Sequence, residues 1–335
     1  MKPRIAMVQG DPAGIGPELI ARLLSDEDAR QQADVLLIAD RDEVELGCRI
    51  AGASFPRREI DKISDFRPDT DHVQHLQFRG AAEPPFARSE ATINGGRYAL
   101  DTLAVALEAT TTGITDAIVF GPLNKTSLKL GGMSHNDELH WFAERLGYTG
   151  PFCEFNVMDK LWTSRVTSHV ALKDAPGMIT QERVIEAIEL IDTALRRSGI
   201  AQPRIAVCGL NPHLGDGGSF GREEIDTIGP AVEAARAKGL PAQGPFPADT
   251  IFIKARDGEF DAVVTMYHDQ GQIAMKLMGF QRGVTVQGGL PVVITTPAHG
   301  TAFDIAGRGV ANAGAMRQAF DMACRMASRG TSGAR

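Results

Sequence analysis

What this chain has little of narrows it first. Its 335 residues include only four cysteines, Cys48, Cys153, Cys208 and Cys324, with no CxxC pair. That excludes a disulfide-stapled scaffold and a cysteine-based zinc site, and fits a reduced, cytoplasmic protein. Basic residues are not in excess: Lys and Arg number 35 against 42 Asp and Glu, a net charge of −7. A nucleic-acid partner, which needs a basic face, is not expected. No apolar run approaches the roughly 18 residues of a membrane span. Met1-Lys2-Pro3-Arg4 runs directly into Ile5-Ala6-Met7-Val8, which reads as a strand and not as a signal peptide. The dinucleotide fingerprint GxGxxG is missing, as are internal repeats, low-complexity tracts and any flexible linker.

What is present is a core. At 43% hydrophobic residues the chain can bury a large interior, and its length suits two domains or one large one. The 36 glycines and 18 prolines punctuate turns. Short apolar runs alternate with helical patterns. Strands are expected at 5–8, 35–38, 117–120, 204–208, 262–266, 284–286 and 292–295, with a weak one at 75–78. Helices are expected at 42–50, 94–113, 134–146, 184–195, 223–237, 247–254, 273–278 and 311–327. Thr180 caps the amphipathic helix on which Val184, Ile188, Ile191 and Leu195 share a face. Asn136 or Ser134 caps the helix at 134–146. Asp159-Lys160 turns one strand, 152–157, into a partner at 161–169, a pair that marks a subdomain or a dimer contact. This βα alternation predicts a three-layer α/β/α protein with a mostly parallel sheet.

Three histidines recur in one context. Arg165-Val166-Thr167-Ser168 leads to His169. Ile205-Ala206-Val207-Cys208-Gly209-Leu210-Asn211-Pro212 leads to His213. Ala262-Val263-Val264 leads through Met266-Tyr267 to His268. Carboxyl ends of strands are where open α/β sheets bind ligands. Three neutral imidazoles leave a divalent metal an open position, as in catalytic sites. Zinc suits imidazole best, with Co²⁺, Mn²⁺ or Mg²⁺ as alternatives. His72 and His75 are expected at the surface, since nothing near them completes a ligand set.

Other stretches support two readings each. Gly10-Asp11-Pro12-Ala13-Gly14-Ile15-Gly16-Pro17-Glu18 either brings backbone close to a ligand or is a tight strand–helix turn. The loop from Asn211 through Gly215, Gly217 and Gly218 either wraps a phosphate or dinucleotide with backbone amides or only turns the chain. Lys125 binds an anion or is a solvated loop lysine. Asp137 and Glu138 either suit a helix N-terminus or, with His140, wall a polar site.

Gly10–Glu18, Gly209-Leu210-Asn211-Pro212-His213, Gly244-Pro245-Phe246-Pro247-Ala248-Asp249-Thr250, Met266-Tyr267-His268-Asp269-Gln270-Gly271 and Ala306-Gly307-Arg308-Gly309 resemble the 4-hydroxythreonine-4-phosphate dehydrogenase (PdxA) family. The resemblance runs from residue 5 to about residue 327 in motif order and spacing. It implies an isocitrate/isopropylmalate-dehydrogenase-like fold of two domains with the active site in the cleft between them. Residues 1–128 with 280–335 form the first; 129–279 form the second, which carries the metal ligands and dimer contacts. It implies a homodimer with a metal at the interface, held at positions matching His169, His213 and His268, and NAD or NADP as hydride acceptor. It implies oxidation of the secondary alcohol of a 3-hydroxy acid, followed by decarboxylation. Lys276 matches a substrate-contacting lysine. Asp249 and Asp269 are candidates for proton transfer or for orienting the histidines, and capping accounts equally well for Asp249.

The departures concern the substrate. Where the biosynthetic enzyme has a His-Thr pair touching substrate, this chain has Glu138-Leu139. Thr285 stands in place of an asparagine, and Ile294 in place of an arginine. An arginine fork is the usual device for a phosphate, and Glu138 would repel one. An unphosphorylated substrate is therefore expected, unless Lys125 or Arg282 supplies a displaced cation. The pyridoxine-pathway reaction itself is the alternative. A metal-assisted hydrolase and a non-catalytic acid-binding protein are the readings from other classes.

Overall fold

The computed structural model describes residues 2–68, 71–82, 84–279 and 282–330. In chain order the elements begin with β1 (Arg4–Val8), α1 (Gly16–Ser25), α2 (Glu27–Gln32), β2 (Asp34–Ala39), α3 (Arg41–Ala51), β3 (Arg57–Ile60), β4 (Val73–Gln77) and α4 (Ile93–Thr111). They continue with β5 (Ala117–Phe120), α5 (Lys125–Leu130), α6 (Glu138–Arg145), β6 (Cys153–Met158), β7 (Leu161–Arg165), α7 (Ala175–Met178), α8 (Gln181–Ser198) and β8 (Ile205–Cys208). The last are α9 (Gly229–Ala237), β9 (Ala242–Phe246), α10 (Ala248–Arg256), β10 (Ala262–Thr265), α11 (His268–Gly279), β11 (Val284–Gly288), β12 (Val293–Pro297) and α12 (Gly314–Gly330).

The chain divides into two units. Residues up to Tyr148 and from Leu290 onward form the first, and Thr149–Gly289 the second. The expected boundaries, after residue 128 and before residue 280, shift for physical reasons. Phe142 of α6 is fully buried and lies 6.1 Å, ring to ring, from Phe120 of β5, which keeps that helix in unit 1. β11 is hydrogen-bonded antiparallel to β6, which keeps it in unit 2.

In unit 1 the strands run β3-β4-β2-β1-β5-β12, all parallel. Every residue of β1 from Ile5, of β2 and of β5 is buried, the continuous apolar signature of strands covered on both faces. α4 and α12 both pack on β1 and β5. The Gly10–Glu18 stretch is tightly packed. Gly10 has φ +77°, and an added Cβ would sit 2.4 Å from the Gly121 carbonyl. Asp11 is 1% exposed, accepts the Ala13 N–H at 2.9 Å, and is raised above the usual carboxylate range by burial.

In unit 2 the order is β11-β6-β7-β10-β8-β9. β6 runs antiparallel to both its neighbours, β11 and β7, while β7, β10, β8 and β9 are parallel. The Asp159 turn forms as expected, with Asp159 at φ +52°. Thr180 caps α8 by accepting the Arg183 N–H at 3.3 Å, and Gly199 closes it at φ +114°. Val184, Ile188, Ile191 and Leu195 are its buried face.

Three expectations fail locally. α6 is capped by Asp137, which accepts the His140 N–H at 2.9 Å, instead of by Asn136 or Ser134. β9 was not foreseen, because Gly244-Pro245 in its interior is tolerated only on an edge strand. α11 begins at His268, five residues before the expected start. Its Gly271 is a close-approach residue, since a Cβ there would meet Thr265 Cγ2 at 3.2 Å.

His75 is also misjudged. It is fully buried on β4, and Nε2–H donates to the Ala39 carbonyl at 2.9 Å. The other ring nitrogen, Nδ1, has no hydrogen-bond partner. Burial lowers its pKa from the ordinary 6.5; the Ala39 hydrogen bond and Glu59 oppose this more weakly, and Arg57 and Arg41 add to it. The unfolded chain therefore takes up this proton first, so the stabilising contribution is complete above pH ~6.5 and declines as pH falls towards the lowered value. Urea midpoints measured between pH 8 and pH 5 should fall with pH, and the fall should be smaller in His75→Phe.

Candidate active site

The strand-end argument has a direct structural counterpart. β7, β10 and β8 are adjacent and parallel, in register Arg165↔Thr265 and Val264↔Val207. Each is followed within a few residues by one of the three histidines. Past the strands the β7–β10 ladder continues, with Val166 N–H to the Thr265 carbonyl at 2.9 Å and Thr167 N–H to the Met266 carbonyl at 3.1 Å. This carries His169 and His268 forward together. Their ring centroids lie 5.4 Å apart. Both line a cavity of about 250 Å³ with Thr167, Val170, Leu172, Ala175, Tyr267 and Asp269.

His268 Nδ1 is 2.7 Å from Asp269 Oδ1. With the carboxylate as acceptor, the proton sits on Nδ1 and the Nε2 lone pair is available to a metal. His169 Nδ1 is 3.3 Å from Ser168 Oγ. Two imidazoles on one cavity fit the donor chemistry of a zinc-type site. His213 is exposed on its own loop, and among the described residues no group of three His, Cys, Asp or Glu side chains is arranged to hold a metal within one chain.

The backbone at these histidines is unusual. His169 has φ +52° and His213 φ +51°. The loop Pro212–Gly218 runs left-handed through His213, Leu214, Gly215, Asp216 and Gly217, with φ between +45° and +78°. For a non-glycine residue that conformation costs about 1–2 kcal/mol. Such strain persists where surrounding structure enforces it, and it clusters at functional sites. Glu224, 5% exposed, is the enforcing group. Its Oε1 accepts the N–H of Leu210 at 2.6 Å and of Asn211 at 2.7 Å, and its Oε2 accepts Asn211 Nδ2 at 3.0 Å. Gly215 packs so tightly that a Cβ would meet the Gly221 carbonyl at 2.4 Å. Of the expected cofactor contacts, Asn211 and Gly215 thus hold the loop's shape, while Gly217 has open space around it and Gly218 lies beside Arg222.

The PdxA family pattern, described as pyridoxal phosphate biosynthetic protein PdxA, matches residues 31–323. A Pseudomonas aeruginosa protein provisionally named 4-hydroxythreonine-4-phosphate dehydrogenase 2 is 67% identical over 328 residues, 97% of each chain. The chain belongs to the PdxA family.

Two solved structures add to this. A Klebsiella pneumoniae 4-hydroxythreonine-4-phosphate dehydrogenase superposes with a TM-score of 0.83 at 35% identity, covering 98% of each chain. A terephthalate 1,2-cis-dihydrodiol dehydrogenase from Burkholderia xenovorans gives 0.67 at 27% identity, covering 98% of this chain and 99% of the other. At the level of fold alone, a β-decarboxylating dehydrogenase from Thermococcus kodakarensis matches at 0.51 and an isocitrate dehydrogenase from Methylococcus capsulatus at 0.50, each at 15% identity, so the fold is of the isocitrate-dehydrogenase kind. As a PdxA-family protein the chain is an oxidoreductase that acts on a CH–OH group with a nicotinamide cofactor. The hydrolase and the non-catalytic binder give way to that.

The remaining candidates are dispersed. Lys276 lies on α11 two turns beyond His268 and is exposed. Asp249 is exposed in the first turn of α10. Thr285 is 5% exposed on β11, its hydroxyl 3.5 Å from Asn156 Nδ2. Glu138, Leu139 and Ile294 belong to unit 1. Glu138 is the first residue of α6, whereas Leu139 is 6% exposed and Ile294 fully buried, both packed in the interior. Arg282 pairs with Asp159 at 3.3 Å, and Lys125 opens α5. Sequence reasoning missed Glu224, for which a single acid beside another gives no signal. It also missed the ion pair of buried Arg165 with partly exposed Glu154, although Glu154 and Asn156 interrupt the apolar pattern of β6.

Removing the carboxylate that holds the strained loop should be costly. Glu224→Ala should destabilise unit 2 by about 1–3 kcal/mol through unpaired backbone donors. Denaturant unfolding measures it, and limited proteolysis should show new cleavage between residues 210 and 218.

Proposed function

We propose that this chain oxidises the secondary alcohol of a 3-hydroxy acid, with NAD or NADP as hydride acceptor, and that the product decarboxylates. His169, His213 and His268 would hold a divalent metal, zinc in the first instance. The observation that carries this is the pair of imidazoles delivered by parallel strands to one cavity, with Asp269 orienting His268. When bound, the metal supplies Lewis acidity, lowering the pKa of a substrate hydroxyl and stabilising developing negative charge. The chain's own groups do the rest. Asp269 fixes the His268 tautomer. Lys276, on the helix that His268 opens, offers an ammonium to the acid's carboxylate. Asp249 is a group for proton transfer. The amides of the Asn211–Gly218 loop offer a cradle to the cofactor's phosphates.

A site shared between two copies accounts for a third histidine that is not grouped with the other two in one chain. Exposed apolar side chains on the cavity wall and along α11 support this. Val170 is 38% and Leu172 65% exposed; Ile273 and Leu277, one turn apart on α11, are 59% and 84% exposed. The setting we infer is cytoplasmic, which four cysteines without a disulfide support. No helix among the described residues is long and apolar enough to cross a membrane.

Two substrate classes compete. The first is a phosphorylated four-carbon hydroxy acid, the kind named in the 67%-identical and 35%-identical relatives. The second is an unphosphorylated acid such as a carboxylated cis-dihydrodiol. It is favoured by Glu138 at the start of α6, whereas Ile294, fully buried in β12, is not placed to touch a substrate. Turnover of 4-phosphohydroxy-L-threonine, D-threonate 4-phosphate and unphosphorylated hydroxy acids, followed by nicotinamide reduction, decides between them. kcat/KM for the phosphate esters above that for the free acids by about 100-fold or more establishes the first class, and the reverse order the second.

Chelation should abolish turnover and zinc or cobalt should restore it. His268→Ala should lower kcat/KM by more than about 100-fold, beyond the usual cost of losing an outer partner. No hydride transfer on any acid tested, with metal present, would sink the proposal. Leu172→Glu with Leu277→Glu should convert a dimer to a monomer in sedimentation and remove activity with it.

A further inference from the structure

The face of the β11–β6–β7 strands that lies under α11 changes character along its length. At one end Met158, Leu161 and Met275 form part of an apolar cluster. At the other, where His169 emerges, the inward residues are Glu154, Asn156, Arg165, Thr285 and Gln287. They are neighbours by register: Asn156↔Thr163 and Asn156↔Thr285, with Gln287↔Glu154. Arg165 is 6% exposed. Burying a guanidinium is expensive even beside a partly exposed carboxylate such as Glu154, and apolar residues of similar size would be as stabilising or more so. Fold stability alone therefore does not explain Arg165.

Its hydrogen bonds do. Nη2 donates to Glu154 Oε2 at 2.5 Å, Nη1 to Asn156 Oδ1 at 2.9 Å, and Nε to Ser168 Oγ at 3.0 Å. Ser168 Oγ lies 3.3 Å from His169 Nδ1. Asn156 Oδ1 also accepts Nε2–H of Gln272. Gln272 is one helical turn after His268 on α11, on the same face of the helix. One planar fork thus reaches His169 through a serine and the His268 helix through an asparagine and a glutamine. We infer that Arg165 is a positioning residue that sets the separation and orientation of the two imidazoles. Lysine cannot replace it, because a point charge has no fixed fork. The inference rests on the reading of His169 and His268 as metal ligands.

Cobalt(II) titration of the purified, metal-stripped protein, read by visible absorption and by calorimetry, tests it together with thermal unfolding. The variants are Glu154→Met/Arg165→Met, which exchanges the ion pair for apolar bulk, Arg165→Lys, Ser168→Ala and Gln272→Leu. The expected result is a double variant that folds with an unchanged or raised Tm but binds cobalt about 10–100-fold more weakly, the usual effect of losing an outer partner. Its absorption bands should shift, and Arg165→Lys should not rescue it. Should the double variant fail to fold, Ser168→Ala and Gln272→Leu carry the test, since each cuts one arm of the fork at a half-buried site; weakened cobalt binding in both supports the inference. Wild-type affinity and spectrum in every folded variant would overturn it. A wild-type protein that binds no cobalt would overturn it too, by removing the metal reading on which it stands.

Discussion

The structure depends on the register of three parallel strands. β7, β10 and β8 are neighbours, and parallel pairing makes their carboxyl ends coincide. A residue a few positions past each strand then emerges at the same rim. In a parallel ladder that alignment follows from hydrogen bonding and does not have to be built by loops. Because the ladder continues into the first turns, His169 and His268 leave the sheet as a fixed pair.

That geometry is bought with local free energy. His169 and the loop around His213 adopt left-handed backbone that their side chains disfavour. Glu224 restrains one, and the Arg165 network reaches the other through Ser168. Both devices place a charged group in a largely buried position and saturate it with hydrogen bonds. Such arrangements are poor sources of stability and good sources of fixed geometry. The bulk of the stability lies elsewhere, in the continuous apolar strands of unit 1 and the α8 face of unit 2.

Much of the fold was legible. The all-apolar runs at Val35–Ile38 and Ala117–Phe120, the period of α8 with its Thr180 cap, and the Asp159 turn are local signals, and each formed where expected. The errors share a cause. Gly271 reads as a break, yet it is the residue that lets α11 rest on Thr265. Gly244-Pro245 reads as a loop, yet an edge strand accepts it. His75 reads as polar surface, yet strand neighbours on either side bury it. In every case a residue's local preference was outweighed by contacts made from far along the chain.

The sequence by itself determined the βα alternation, the three histidines at strand ends, the absence of disulfide and membrane signatures, and the motif order that places the chain in the PdxA family. These are properties of short windows, where side-chain period and turn chemistry act directly. Only the tertiary structure decided that two of the histidines share a cavity, that two sit on strained backbone, and that a buried arginine links one to the helix of another. Strand order, burial and hydrogen-bond partners depend on which distant segments meet, and no local pattern encodes that meeting.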